Sequence, residues 1–346
     1  MSFWKQSPGP HWKEAFTSLF KHGNDLPFIY RTNKVELPIS SDPSITIQSC
    51  SESQMNEYAT FLQTHFKITE KSKCCISAER LQTGLQQGWI CAGAFTQNSQ
   101  LVGTVISRPL GTLFFLNRSR GIKYGTHSFP STDFIDFFCI APAYQKKRIG
   151  SDLLHFIDAA STQYGRQIHC FIKEISPLWA IPPVFTSHYI YRINSEYVQH
   201  HSPPPRIQKN QMAVLAARKT LIDTNTIAFQ PTGSDLDTTI YYRDLPTGRV
   251  YVAIADLHHR AKSRELYGGP LGEILWTWAD SEFLSQDEMV DAVESICKLV
   301  PYEVILADKN LPHFEGGSWH KDVPYFVYLY NFNPHHFFTV KPWFFF

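Results

Sequence analysis

The sequence predicts a mixed α/β (α+β) fold built from two similar halves, each a twisted mixed sheet flanked by helices. Residues 134–173 contain an apolar run, a basic loop, an amphipathic stretch and a second apolar run, the pattern of strand, helix and strand. The same order recurs in residues 249–307. A length of 346 residues suits two domains or one large duplicated one.

The boundary between the halves is predicted at the run His200-His201-Ser202-Pro203-Pro204-Pro205. Three consecutive prolines favour an extended connector, so we assign residues 1–205 and 206–346 to separate domains. The two histidines have no carboxylate or cysteine close by in sequence, and we interpret them as part of a solvated linker. Prolines also interrupt residues 1–43, which are predicted to form an irregular arm.

The first half begins with two predicted helices and a hairpin. Residues 51–66 are predicted to be helical, with Ser53 as the cap, and residues 77–87 form a second helix. Residues 89–108 have the pattern of a hairpin. Residues 111–130 are rich in glycine, arginine and serine, and we expect a mobile loop there.

The central segment begins with an apolar run over residues 134–140, typical of a strand that is covered on both faces. Pro142 ends this strand because proline has no N–H for a ladder hydrogen bond. A helix is predicted over residues 151–164, since apolar side chains recur there at helical spacing. The N–H groups of residues 148–151 would then point out of the helix N-terminus, where they bind phosphate.

The loop between this strand and helix carries the pattern Gln-x-x-Arg-x-Gly, formed by Gln145, Arg148 and Gly150. Lys146 and Lys147 add positive charge, and the glycine lets the backbone approach a ligand closely. Acyl-CoA-dependent N-acyltransferases use this spacing to hold a pyrophosphate. The alternative is an ordinary basic loop, and the flanking strand and helix favour the functional interpretation.

The second half repeats the order of elements without repeating the loop. Residues 249–256 and 273–279 are predicted strands, residues 285–298 a helix, and residues 302–307 a further strand. The helix starts with Ser285 and has glutamate three residues later, which predicts a capping box. Because no Gln-x-x-Arg-x-Gly pattern precedes this helix, we expect one cofactor site and a second half that shapes the acceptor groove.

Composition excludes several classes of protein. A net charge of +1 argues against a nucleic-acid-binding surface. The seven cysteines form no pair with metal-ligand spacing, so we expect a reduced protein without a metal. We also expect a cytoplasmic monomer without a signal peptide or a transmembrane segment. His258-His259 and His335-His336 are adjacent pairs, which on a strand point to opposite faces and argue against a metal enzyme. The sequence contains no Gly-x-Ser-x-Gly pattern, which argues against a hydrolase with a catalytic triad.

Four segments together resemble the glycylpeptide N-myristoyltransferases, which consist of two fused GNAT-like (N-acetyltransferase-fold) halves. Residues 135–151 match that family's Ile-Asn-Phe-Leu-Cys-Val-His-Lys-Lys-Leu-Arg-Ser-Lys-Arg-Val-Ala-Pro without a gap. Weaker matches are Phe3-Trp4-Lys5-Gln6-Ser7-Pro8, Leu85-Gln86-Gln87-Gly88-Trp89 and Tyr328-Leu329-Tyr330-Asn331-Phe332. They occur in the family's order across nearly the whole chain.

The resemblance implies transfer of myristate from myristoyl-CoA to the N-terminal glycine amine of a protein or peptide. The first half would bind the acyl-CoA. The residues it would use are Phe3, Trp4, Phe137, Phe138, Cys139, Ile140, Gln145, Lys146, Lys147, Arg148, Ile149, Gly150 and Ser151. The backbone N–H groups of Phe137 and Phe138 would form an oxyanion hole for the thioester carbonyl.

The same resemblance assigns the catalytic base to the terminal carboxylate, here on Phe346. A glycine amine is mostly protonated at neutral pH and must lose a proton before it attacks. A carboxylate is a weak base, but burial raises its pKa, and residues 337–346 are apolar enough to be drawn inside. The alternative is a last core strand with its carboxylate at the surface.

The residues implied on the acceptor side are Tyr189, Tyr191, Asp322, Tyr330 and Asn331. Here the sequence departs from the family: Tyr191 replaces a peptide-facing histidine, and Asp322 lacks its flanking glycines. Asp136, just before the oxyanion-hole residues, replaces an asparagine. Two alternatives therefore remain open: an acetyl- or other acyltransferase with a different acceptor, and an inactive relative that binds acyl-CoA or a peptide.

Overall fold

The computed structural model describes residues 28–29, 36–37, 40–67, 72–116, 127–178, 182–194, 204–206, 226–230, 237–263, 266–281, 283–309, 311 and 319–333. Phe3, Trp4 and Phe346 lie outside these ranges, as do most of the predicted N-terminal arm and the apolar C-terminal tail. The roles that the resemblance assigns to these three residues therefore stay predictions.

Fifteen strands and four α-helices are formed by the described residues. The strands are β1 (Phe28–Ile29), β2 (Ile45–Ser49), β3 (Ser72–Cys74), β4 (Ile90–Thr96), β5 (Leu101–Leu116), β6 (His127–Ile140), β7 (Arg166–Glu174), β8 (Phe185–Ile193), β9 (Thr226–Gln230), β10 (Thr238–Leu245), β11 (Gly248–Ser263), β12 (Leu266–Ala279), β13 (Val304–Asp308), β14 (His320–Tyr330) and β15 (Phe332–Asn333). The helices are α1 (Met55–His65), α2 (Ala78–Gln86), α3 (Ile149–Gln163) and α4 (Gln286–Leu299).

Thirteen of these strands form one continuous sheet in the order β10-β11-β12-β13-β8-β14-β7-β6-β5-β4-β2, with β3 paired to β11 and β9 paired to β5. Strands β1 and β15 form a separate antiparallel pair. Strands β6 and β7 pair in parallel, as do β12 and β13, while the other pairs are antiparallel. The sheet is therefore mixed, as predicted.

The two halves repeat one arrangement. In the first, β5 and β6 form an antiparallel pair, and α3 connects β6 to the parallel strand β7. In the second, β11 and β12 form the pair, and α4 connects β12 to β13. The last strand of each half pairs with the other half: β8 of the first half pairs with β13, and β14 of the second half pairs with β7. The fold-class prediction is confirmed, while the domain boundary at residues 205 and 206 stays a prediction.

The core of the first half lies on both faces of its sheet. Helix α1 covers one face, and the buried hydroxyl of Tyr58 lies within hydrogen-bond distance of the carbonyls of Ala92 (3.1 Å) and Val105 (3.0 Å), which share its one hydrogen. Helix α3 covers the other face with a stripe that includes the fully buried Leu153 and Ile157. These contacts fix the strand-loop-helix segment that carries the candidate site.

Helix starts were predicted with mixed success. The capping box of α4 is confirmed: Ser285 Oγ accepts from the N–H of Glu288 (3.2 Å), and the Ser285 N–H donates to the glutamate side chain (2.9 Å). Ser53 as the cap of the first helix is wrong. Ser51 begins a short 3₁₀ turn there instead, with its N–H donating to Gln54 Oε1 (3.0 Å).

The prediction of a loop over residues 111–130 is wrong at both ends. Strand β5 continues to Leu116 and β6 begins at His127, with Gly111 opposite Thr132. Strand β9 pairs with residues 112–116 from a distant part of the chain. This pairing stabilises strands whose local composition resembles a loop, because ladder hydrogen bonds depend on tertiary partners.

Two further features bear on function. All seven cysteines are free, and Cys139 and Cys170 lie in strands as predicted. Among the described helices, none combines the length and apolar character needed to cross a membrane.

Candidate active site

A β-bulge lies in the middle of the central strand β6. Thr104 of β5 pairs with Cys139, but Ile106 pairs with Asp136, so one residue of β5 faces two residues of β6. Phe137 lies in this bulge with a φ of 49°, unusual for a residue other than glycine. The hydroxyl of Thr104 donates to the Phe137 carbonyl (3.1 Å) and holds the distorted backbone in place.

A cavity of about 430 Å³ lies beside the bulge, between β6 and β7. The two parallel strands pair only as far as Phe134 and Cys170, although β6 continues to Ile140 and β7 to Glu174. Beyond this point the strands separate. Residues 135–138 and 171–174 line the resulting opening, which reaches β11 and β12 of the second half. The cavity therefore lies where the two halves meet.

The N-terminus of α3 lies just beyond the bulged strand. Arg148 is the N-cap residue, with a left-handed φ of 65°, and its side chain makes no capping hydrogen bond. The helix starts at Ile149, two residues earlier than predicted. The N–H groups of Ile149, Gly150 and Ser151 belong to the first turn and have no intrahelical acceptor, so this end can bind an anion.

Gly150 connects this helix end to the bulge. A Cβ at this position would lie 2.9 Å from Phe138 Cζ and 2.9 Å from Ile140 Cδ1, too close for either contact. The absence of a side chain lets the Phe138 ring, 42% exposed, lie against the first turn of α3. Gly150 is thus needed for the close packing of Phe138 against α3. This role is additional to the predicted one, in which the glycine lets a ligand approach the backbone.

The basic loop is exposed, as a phosphate-binding loop requires. Gln145, Lys146, Lys147 and Arg148 are all exposed. Lys146 and Arg148 have φ values of 66° and 65°, so the backbone turns twice before the helix. Lys147 Nζ lies 4.9 Å from the centre of the Tyr144 ring. The structure therefore places the predicted loop residues together at the helix N-terminus.

Asp136 and Arg108 form an ion pair at the bulge that sequence reasoning missed. Arg108 Nη2 lies 3.0 Å from Asp136 Oδ2, and the other oxygen of this carboxylate accepts a hydrogen bond from the Phe137 N–H (2.7 Å). An oxygen that binds to the Phe137 N–H must therefore displace the carboxylate. The position where the family has asparagine carries a charge that Arg108 neutralises.

Cys139 and Ile140 follow the bulge on β6 and are both half-buried. Burial raises the pKa of the Cys139 thiol to about 12, so this thiol is protonated at neutral pH. Cys139 thus has no nucleophilic role under these conditions. Ile140 packs against Gly150 and completes the apolar contact between β6 and α3.

Tyr189 is the acceptor-side residue that lines the cavity. It is buried and stacks on Tyr325 with ring centres 4.2 Å apart, and burial raises the pKa of its hydroxyl well above the usual value. The other candidates on this side do not line the cavity described here. Tyr191 packs against the His320 ring (5.3 Å), Tyr330 donates to Asp158 Oδ2 (3.3 Å), Asn331 donates to the Gln167 carbonyl (2.9 Å), and the backbone of Asp322 lies in β14.

His258 and His259 both line the cavity, contrary to the prediction that they point to opposite faces of a strand. His258 has a left-handed φ of 52°, which breaks the alternation of side chains along β11. The sequence around the two histidines does not predict this distortion, because it depends on the pairing of β11 with β3 and β12.

A network of charges joins the two halves next to this cavity. His258 Nε2 lies 2.5 Å from Asp237 Oδ2, and Arg80 Nε of the first half lies 2.7 Å from the same carboxylate. Burial acts to raise the pKa of Asp237, but the hydrogen bonds from His258 and Arg80 outweigh it and lower the pKa to about 2. The carboxylate is therefore ionised over the physiological range.

Comparison with solved structures supports the fold. A structure of Saccharomyces cerevisiae N-myristoyltransferase with bound myristoyl-CoA and inhibitors matches with a TM-score of 0.64 at 14% identity, covering 98% of this chain and 90% of that chain. A second structure of this enzyme, with bound myristoyl-CoA, matches with a TM-score of 0.63, 14% identity and coverage of 98% and 88%. A third gives 0.60, 14% identity and coverage of 98% and 93%.

No protein-family model matches the sequence, and neither does any curated protein. The structural likeness extends over nearly the whole chain, so the fold is that of the N-myristoyltransferases. The resemblance indicated by the four sequence segments is confirmed at this level. At 14% identity, donor, acceptor and catalytic roles have to be argued from the site itself.

Proposed function

We propose that this protein is an N-acyltransferase that moves a myristoyl group from myristoyl-CoA to the N-terminal glycine amine of a protein or peptide. The observation that carries the proposal is one arrangement. The N-terminus of α3, preceded by an exposed basic loop, lies next to a bulged strand that opens into a cavity lined by both apolar and charged side chains. In this proposal, the arrangement would provide separate places for phosphates, a thioester and an acyl chain.

The donor would bind with its diphosphate at the basic loop. Residues 149–151 offer first-turn N–H groups, and Gln145, Lys146, Lys147 and Arg148 supply polar and positive side chains around them. The thioester would then reach the bulge, with Phe138 packed between the two sites. Phe3 and Trp4 are proposed to cover the CoA moiety.

Charge develops on the thioester oxygen during attack, and the N–H groups of Phe137 and Phe138 are proposed to stabilise it. The Phe137 N–H must first release Asp136 Oδ1, which it holds at 2.7 Å. Arg108 stays paired with the other carboxylate oxygen and prevents an uncompensated negative charge beside the oxyanion. Arg108 is thus proposed as a positioning residue.

The acceptor would enter the part of the cavity shaped by the second half, where Tyr189 and the end of β11 lie. The terminal carboxylate of Phe346 is proposed as the base for the ammonium group. Asp322, Tyr191, Tyr330 and Asn331 are proposed to act farther along the acceptor. We also propose a cytoplasmic, monomeric enzyme whose partners are proteins with N-terminal glycine.

A mass-spectrometric transfer assay tests this proposal. The protein would receive a peptide with N-terminal glycine together with myristoyl-CoA and acetyl-CoA in competition. The same peptide with its amine blocked serves as the acceptor control. We expect a myristoyl adduct on the glycine amine. Acetyl transfer would instead indicate the acetyltransferase alternative, and no product with either donor would refute the proposed reaction.

A loop variant tests the donor site separately. Because Arg148 has a φ of 65°, in the left-handed region that favours glycine, Arg148→Gly removes the guanidinium without adding backbone strain. Arg148→Gly should weaken the binding of a non-hydrolysable myristoyl-CoA by about tenfold, as expected for one lost charge-assisted contact. Arg243→Ala, which alters an exposed arginine of β10, is the matched control. Equal affinity in both variants would contradict the assignment.

A further inference from the structure

His259 has an unusual position in the cavity between the halves. The residue is 1% exposed, lies on β11 opposite Cys74 of β3, and lines the cavity. Its ring contacts the Phe66 ring edge-on, with centres 5.5 Å apart, and Phe66 also packs against Phe137 at 5.2 Å. His259 and the bulge at which the thioester is proposed to bind thus share one aromatic neighbour.

Hydrogen bonding fixes the protonation of this ring. His259 Nδ1 lies 2.8 Å from the Leu257 carbonyl oxygen, which can only accept, so Nδ1 carries the hydrogen. Burial lowers the pKa of the ring, so it is neutral at pH 7 and Nε2 holds a lone pair. Nε2 is buried and has no hydrogen-bond partner within the part of the chain that the structure describes.

The charged surroundings of His259 act in both directions. Asp136 on β6 and Asp256 on its own strand raise the pKa, while His258 lowers it together with the larger effect of burial. Cys74 on the paired strand is a neutral thiol, because burial raises its pKa to about 12. The other ionisable residues that line the cavity are Lys67, Arg108, Lys173, Glu174, Tyr189 and Glu273.

The neighbouring His258 is arranged differently. Its Nε2 lies 2.5 Å from Asp237 and its Nδ1 lies 3.8 Å from Asp256, so a carboxylate faces each ring nitrogen. Because an ionised carboxylate only accepts, Nε2 of His258 carries a hydrogen and donates it to Asp237. Of the two cavity histidines, His259 is the one with a buried ring nitrogen that has no hydrogen-bond partner among the described residues.

We propose that His259 is a catalytic residue that accepts a proton from the acceptor amine through Nε2. This inference rests on the proposed acyl transfer. The nitrogen lone pair forms the C–N bond, the C–S bond breaks, and its electron pair leaves on the CoA thiolate. An ammonium group loses two protons on its way to the amide: one ends on the thiolate, and the other is released to solvent.

Two protons require two acceptance steps, so His259 acts together with the proposed terminal carboxylate and does not replace it. The neutral imidazole accepts one proton and passes it to the thiolate or to water, which restores the starting form. Burial next to Phe66 keeps water away from Nε2 before the amine arrives.

His259→Asn tests the role. The asparagine amide can still donate to the Leu257 carbonyl, but the ε nitrogen is lost. We expect kcat to fall by about 100-fold, the lower end for a general base, with donor affinity unchanged. In the wild type, kcat should decline below pH 6.5, because the pKa of His259 is lowered from 6.5. This decline should disappear in His259→Asn. His65→Asn, at the end of α1 and not among the cavity residues, is the matched control.

Added imidazole should partly restore kcat in His259→Ala, which a purely structural loss would not allow. An unchanged kcat and pH profile in His259→Asn would overturn the proposal. If the wild type transfers no acyl group, the proposed function fails on its own, and nitrogen NMR of the His259 ring still tests the protonation state on which the inference depends. A ring protonated at pH 7, or one with its hydrogen on Nε2, would overturn it. A neutral Nδ1–H ring would support it.

Discussion

The ion pair at the bulge predicts that Arg108→Gln destabilises the fold by about 3 kcal/mol. Arg108 Nη2 lies 3.0 Å from Asp136 Oδ2, and the two side chains are 8% and 24% exposed. Removing one member of a buried pair typically costs about 3–5 kcal/mol, because the remaining charge is left without compensation. Asp136 retains some contact with water, which places the expected cost at the lower end of this range.

A second substitution, at Asp136, separates the effect of the ion-pair charges from the effect of Arg108 side-chain packing. Asp136→Asn keeps an oxygen that can accept from the Phe137 N–H, but it leaves the Arg108 guanidinium, 8% exposed, without its carboxylate and should also cost about 3 kcal/mol. In the double variant Arg108→Gln and Asp136→Asn no buried charge remains. The residual loss is that of the Arg108 guanidinium packed over Trp89 at 5.2 Å. We expect the double variant to be about 2 kcal/mol more stable than the sum of the single effects predicts.

Guanidinium unfolding of the wild type and the three variants measures these values, with the slope m as a check that the same surface unfolds in each. Additive losses would refute the reasoning, since they would show that the pair makes no coupled contribution. The transfer rate offers a second test. Arg108→Gln leaves a bare carboxylate beside the proposed oxyanion hole and should slow transfer, and Asp136→Asn in the same protein should recover part of the rate.

Three other predictions follow from the site and its surroundings. Gly150→Ala places a Cβ 2.9 Å from the Phe138 ring and should cost about 1 kcal/mol in chemical unfolding, with weaker donor binding. Asp237 has its pKa lowered from 3.8 to about 2, so its stabilising effect is present above pH 4 and is lost as the pH falls toward 2. The stability difference of about 2 kcal/mol between wild type and Asp237→Asn should shrink over that interval. Deleting Phe346 should lower turnover strongly without changing donor affinity; unchanged turnover would exclude a catalytic terminal carboxylate.

Local sequence patterns were sufficient to predict several elements of both halves, including those around the proposed donor site. The apolar run before Pro142, the stripe on α3 and the capping box at Ser285 each depend on residues within one turn or one strand, and all three appear in the structure. The repeat of strand, helix and strand then gave the two-half fold, since the order of elements restricts their topology.

Features that depend on distant pairing could not be predicted in this way. The bulge at Phe137 arises from a register shift against β5, and the cavity arises because β6 and β7 separate. The arrangement of His258 and His259 depends on β3, a strand from the first half of the sequence. Arg108 gave no signal, because its partner Asp136 lies on a neighbouring strand.

The measurement that tests the central claim most directly is a crystal structure with a non-hydrolysable myristoyl-CoA analogue. We expect the diphosphate at the N-terminus of α3 and the acyl chain in the cavity between β6 and β7. The carbonyl oxygen of the analogue should lie about 3 Å from the Phe137 N–H, with the Asp136 carboxylate displaced from it. An analogue bound elsewhere, or a Phe137 N–H still held by Asp136, would contradict the account.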